Sequence, residues 1–169
     1  MLALQHALRT RWGGFAVLFC GLAAAAIEQH MIGWNELSHF AQIRAFDHGT
    51  PIIDPYRNTT EDRAFYHGHF YSDKAPGLGF LLVPVYHLIR VLGVVKPTGI
   101  GMVHLLVLFA CVLPFTLTLL LAYRLVERRD SGQGAAVAVT LGLGTVLLPF
   151  ATMLFSHVLS AALGFAAFY

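Results

Sequence analysis

An all-α, polytopic membrane protein is the fold class this sequence predicts, and two observations predict it. Hydrophobic residues fill 57% of the 169 positions and charged residues only 12%, a balance typical of multi-pass membrane proteins and foreign to ordinary soluble domains. The charges are also confined. Arg9 and Arg11 lie at the start, a mixed group lies between residues 28 and 74, and Arg124, Arg128 and Arg129 follow, with apolar runs between them. The lipid bilayer is therefore an expected partner. The net charge of +2, without a basic stripe, excludes a nucleic-acid surface. Cys20 and Cys111 fall inside apolar runs and read as small buried side chains, not as a disulfide or metal pair.

Taken in order, residues 12–34 supply the roughly 20 residues that a helix needs to cross the hydrocarbon. A cleaved signal peptide is the rival reading, since Arg9, Arg11 and the alanines at 23–26 fit that pattern as well. Two arginines before the first span hold the N-terminus in the cytoplasm and place residues 35–76 outside, in a cell membrane. Residues 77–95 and 100–126 are both apolar. If both crossed, the arginines at 124, 128 and 129 would end outside, against the positive-inside rule. Residues 77–95 also carry Pro84, His87 and Arg90, which suit a helix lying in the interface better than a lipid-exposed span. Residues 134–152 read as an outward helix, Ser156-His157 as its outer turn, and 157–169 as a returning span cut short. The chain stops in mid-apolar run, so it reads as one membrane domain forming the N-terminal part of a longer protein.

Within the external loop, residues 35–48 predict a helix, with Asn35 as N-cap and Glu36 suited to its positive end. Trp34, Leu37, Ala41 and Ala45 line one face; Asn35, Ser38, His39 and Gln42 line another. Gly49 supplies a left-handed cap before Pro51. Residues 64–71 alternate loosely, as a short strand or extended arm would. A loop that leaves one span and returns through Lys74 and Pro76 brings its two ends to one membrane face, where Glu36 and Lys74 could meet.

Two short motifs carry a resemblance: Trp34-Asn35-Glu36-Leu37-Ser38-His39-Phe40-Ala41 after the first span, and Tyr71-Ser72-Asp73-Lys74-Ala75-Pro76-Gly77-Leu78-Gly79 closing the loop. Together they resemble the first external loop of the GT-C superfamily, integral-membrane glycosyltransferases that use polyprenyl-phosphate-linked sugars. Protein O-mannosyltransferases and the enzymes that add aminoarabinose to lipid A belong to it. In that family an Asp-Glu pair sits on an in-plane helix, and a Lys-Pro-Pro or His-Pro-Pro element precedes a second in-plane helix. The resemblance implies in-plane helices in a large first external loop and transfer of a sugar from a polyprenyl-phosphate donor to an acceptor hydroxyl. This chain departs from the pattern at Asn35, where the family has Asp, and at Ala75, where it often has Pro. An amide has no useful basicity and could only orient the acceptor.

That chemistry needs a carboxylate to take the acceptor's proton and a cation or donor to steady the departing phosphate. Glu36 and Asp73 are the candidate catalytic carboxylates. Asn35, His69, Tyr71 and Lys74 are the candidate substrate-binding residues, with Lys74 facing the phosphate. Asp54 and Asp62 are further acids within reach, and Asp73 could instead pair with Lys74. Arg57 and Arg63 could add positive charge. No cofactor is expected. A metal reading would need His67 and His69 on one strand face with Asp62 or Asp73 beside them. A transporter is the reading from another class, with Glu28 and His157 lining a substrate path.

Overall fold

The computed structural model describes residues 2–27 and 32–169, with side chains from Trp12 onward. Glu28 and the side chains of Arg9 and Arg11 lie outside the described residues. The fold is mostly helical, as expected. Its elements are α1 (Leu2–Ala26), α2 (Trp34–Asp47), a 3-10 turn (Asp54–Thr59), β1 (Arg63–Tyr66), β2 (His69–Ser72), α3 (Pro76–Leu92), α4 (Ile100–Val107), a π-helical stretch (Leu108–Val112), α5 (Leu113–Arg129), α6 (Gly134–Leu143), α7 (Leu147–Ala151) and α8 (Ser156–Phe168). One helical run, Ile100–Arg129, is long and apolar enough to cross a membrane. Shorter apolar helices are Trp12–Ala26, Pro76–Leu92, Gly134–Leu143 and Ser156–Phe168.

The chain divides into two compact units. One consists of α1, α5, α6, α7 and α8. There, Cys20 and Cys111 are fully buried and, among the described residues, unbridged. The turn into α6 is closed by Glu127, whose carboxylate accepts the backbone N–H groups of Gly132 (3.0 Å) and Gly134 (3.2 Å). A single helix through residue 152 is not what forms. Thr145 turns its hydroxyl back to the Leu141 carbonyl (2.7 Å) and accepts the Leu147 N–H (3.2 Å), so α6 stops and α7 starts anew. Ser156-His157 opens α8; the expected turn lies earlier, over residues 152–155.

The other unit holds α2, the hairpin, α3 and α4. The α2 helix starts one residue earlier than expected, with Gly33 and not Asn35 at the N-cap. Its far end matches expectation. Gly49 is left-handed (φ 75°), its N–H bonds the Phe46 carbonyl (2.9 Å), and the Thr50 N–H bonds the Ala45 carbonyl (3.1 Å), a Schellman end. The hairpin answers the sequence's weak alternation. Phe65 faces Phe70 and Tyr66 faces His69, and the two-residue turn His67-Gly68 has φ of 49° and 85°, the type I′ geometry that matches strand twist. Pro76 begins α3 at the position where a missing N–H costs nothing, and it holds Ala75 extended (ψ 133°).

The α3 helix lies along α2 through Leu78, Gly79, Leu82, Tyr86 and Ile89, spaced on one face. Phe46 stacks on Phe80 at 4.3 Å, and Phe40 meets Tyr86 edge-on at 6.1 Å. Asp47, 1% exposed, is clamped by His87 (2.8 Å) and Arg90 (3.1 Å) of α3. A Cβ on Gly79 would stand 2.8 Å from Gln42 Oε1 and 2.9 Å from the Phe46 ring. Gly79→Val is therefore expected to wedge α2 from α3 and cost about 1–3 kcal/mol. Thermal unfolding in detergent measures it; an unchanged midpoint would show that the contact is soft.

Candidate functional site

Eight residues of α2 are buried: Glu36, Ser38, His39, Phe40, Ala41, Gln42, Ile43 and Ala45. Four of these are polar, and the chain from Thr60 to Lys74 covers them, so these buried polar groups demand partners there. Ser38, fully buried, donates to the Asp62 carbonyl (2.6 Å) and shares a 2.7 Å contact with the Ser72 hydroxyl. Ser72 Oγ in turn accepts the Lys74 N–H (3.2 Å), so one chain of hydrogen bonds joins Lys74, Ser72, Ser38 and Asp62. Gln42 donates to the Lys74 carbonyl (3.0 Å). Thr60 donates to the Trp34 carbonyl (2.8 Å) and accepts the Asp62 N–H (3.1 Å). Asp62 and Lys74 are thus pinned through their backbones to a single helix.

Their side chains then meet. Lys74 Nζ, on a side chain 17% exposed, stands 2.9 Å from Asp62 Oδ2 and 3.1 Å from Asp73 Oδ1. Asp73 Oδ2 lies 3.3 Å away as well, so both oxygens of Asp73 face the ammonium. Burial works against the charged ammonium, yet the hydrogen bonds and charges of Asp62 and Asp73 outweigh it and hold the Lys74 pKa above the ordinary lysine value. The cluster carries two negative charges and one positive, with three carboxylate oxygens around the ammonium.

No protein-family model matches the chain, and neither a curated protein nor a solved structure matches it significantly. The site has to be read from its own geometry.

That geometry brings Asp73 and Lys74 together, as the sequence allowed, but gives Lys74 partners other than Glu36. Glu36 is 6% exposed, occupies the third position of α2, and folds its Oε2 back to within 2.9 Å of where a Cβ on Gly33 would be. No side-chain hydrogen bond among the described residues caps the start of α2, so the position of Glu36 there is electrostatic only, an acid in the first turn. Among the described residues no ion pair links it to Lys74. Asn35 shares a helix face with Ser38 and Gln42, and its buried Oδ1 has no hydrogen-bond partner among the described residues. Tyr71 lies in β2, partly buried, and bridges to Ile52. His69 points elsewhere: its Nδ1 contacts Asp54 Oδ2 (2.7 Å), while Asp54 Oδ1 accepts the Phe70 N–H (2.7 Å). The two-histidine strand face needed for a metal does not form, because His67 sits in the turn. Arg63 pairs with Glu61 (3.2 Å) and lies over the Phe70 ring; Arg57 is exposed in the 3-10 turn. His157 stacks on Phe150 at 4.8 Å.

Asp62 is the residue that sequence reasoning ranked too low. Its signal was present in Thr60-x-Asp62, a threonine two residues ahead of an acid whose N–H it fixes, but that pattern is common in any turn.

The Asp54 clamp yields a pH dependence. The hydrogen bond from His69, then that from the Phe70 N–H, lowers the Asp54 pKa below its usual 3.8. A lowered carboxylate pKa means the clamp contributes fully above the usual value and is lost as pH falls through the folded one. Exchange protection of the Phe70 amide should be complete above the usual value of 3.8 and fall only as pH drops through the lower, folded one. Protection that survives in Asp54→Asn contradicts this assignment.

Proposed function

We propose that this chain is a polytopic membrane glycosyltransferase of the GT-C kind. It moves a sugar from a polyprenyl-phosphate donor to an acceptor hydroxyl at the extracytoplasmic face of a cell membrane. One observation carries the reading: Lys74 stands between two carboxylates, backbone-anchored to α2, two residues before Pro76 opens an apolar helix. The far side of that helix supports a lipid contact, since Leu81, Leu88, Val91 and Leu92 are exposed on it. A headgroup held at that boundary would lie beside the cluster while its prenyl chain stays in hydrocarbon.

In this reading the Lys74 ammonium turns toward the phosphate oxygen from which the sugar departs and steadies the charge left there. The unpartnered amide oxygen of Asn35 accepts a hydrogen bond from the acceptor and orients it. Glu36 is buried in the first turn of its helix and makes no ion pair with Lys74 among the described residues. The direct test is binding of undecaprenyl phosphate to the purified protein in nanodiscs, followed by native mass spectrometry. Saturable binding that geranylgeraniol, a prenyl chain without phosphate, fails to displace supports the reading; no binding ends it.

A further inference from the structure

We infer that Asp62 is the base of this transfer, an assignment that rests on the glycosyltransferase reading above. The external segment holds six acids among its described residues, and the structure commits four of them in full. Glu36 is buried in the first turn of α2 and makes no ion pair with Lys74 among the described residues. Asp47 is buried between His87 and Arg90. Asp54 gives one oxygen to His69 and the other to the Phe70 N–H. Glu61 is spent on Arg63 in solvent. Asp73 turns both oxygens to Lys74, at 3.1 and 3.3 Å. Asp62 differs: Oδ2 takes Lys74 at 2.9 Å, its side chain is 34% exposed, and Oδ1 has no partner among the described residues.

Placement matters as much as availability. Asp62 is held at its carbonyl by Ser38 and at its N–H by Thr60, so its carboxylate has little backbone freedom. It stands against the same ammonium that faces the donor phosphate. A base has to sit beside the leaving group's anchor, because attack and departure occur at one anomeric carbon. The acceptor oxygen forms its bond to that carbon while the carbon–oxygen bond to phosphate breaks. The electron pair stays on the phosphate, and the acceptor proton passes to Asp62 Oδ1. Atoms and charge balance without another reactant. Asn35, the amide at the family's acidic position, then has no proton to take.

The test compares Asp62→Asn and Asp73→Asn with the unaltered chain in nanodiscs. Two readouts are needed: undecaprenyl phosphate binding, and sugar release from a panel of undecaprenyl-phosphate-linked hexoses and pentoses with water and methanol as acceptors. Asp62→Asn is expected to bind the lipid within about threefold of the unaltered chain while losing ~10²–10⁴-fold in turnover, together with the acidic limb of its pH–rate profile. Asp73→Asn strips a partner from Lys74, so it is expected to change lipid binding as well as turnover while keeping the acidic limb. Turnover by Asp62→Asn near that of the unaltered chain, or loss of the acidic limb in Asp73→Asn and not in Asp62→Asn, overturns the assignment. An unaltered chain that neither binds the lipid nor turns over any donor instead defeats the glycosyltransferase reading, and Asp62 as base falls with it.

Discussion

Lys74→Met should abolish undecaprenyl phosphate binding and lower sugar transfer by about 10²-fold or more, the usual loss when a preorganised charge facing a leaving group is removed. Methionine keeps the length and apolar stem of the side chain, so the packing under the cluster survives. What disappears is the cation, and Asp62 and Asp73 are left sharing a site without a counter-ion. Lys74→Arg restores charge with a wider fork and should recover binding more than transfer, because position at the anomeric carbon changes. Native binding by Lys74→Met would remove the central support for the proposed function. The ammonium does not titrate near neutrality. Its raised pKa keeps the cluster's stabilisation whole below the lysine value of 10.5, and the loss comes only as pH climbs through the folded value. A pH–rate limb between about 5 and 8 therefore belongs to another group.

Ser38→Ala should loosen the chain from Thr60 to Lys74, at a cost of about 1–3 kcal/mol. The hydroxyl is fully buried and lies against the Asp62 carbonyl (2.6 Å), the Ser72 hydroxyl (2.7 Å) and, at 3.4 Å, Asp73 Oδ1. Alanine leaves these groups short of a hydrogen bond in a buried contact. Hydrogen exchange should rise at Asp62 through Lys74 while α3 stays protected. Unchanged exchange would mean that Thr60 and Gln42 suffice to hold the segment, and that Ser38 is not its anchor.

Much of this unit was legible from residue order. Residues 35–48 announced α2 to within one position, because Gly49 and Pro51 stop a helix by mechanisms that need no tertiary partner. The start of α3 was equally local, set by Ala75-Pro76. Less legible was everything decided by what the loop packs against. The hairpin needed positive φ at His67, which no pattern in residues 64–71 advertises. Asp73 was expected as a partner of Lys74 and is one, but the second partner, Asp62, was missed for a related reason. Glu36 sits on a periodic helix and draws attention, whereas Asp62 lies in irregular chain and acquires its place only through Ser38 and Thr60. The single helix expected over 134–152 failed on a threonine. Thr145 is unremarkable in an apolar run until its hydroxyl finds the Leu141 carbonyl and its oxygen the Leu147 amide.

The inward turn of Glu127 has a consequence for how its segment meets an aqueous compartment. With that carboxylate committed to two peptide amides, the outward complexion of the 124–130 stretch is left to Arg124, Arg128 and Arg129 against Asp130 alone. An anionic leaflet nearby would sense three guanidiniums opposed by one acid, an attraction of about 1 kcal/mol for each cation near the surface. Glu127→Gln could keep one amide contact through its carbonyl oxygen, so the turn would loosen while the basic fringe stayed as it is.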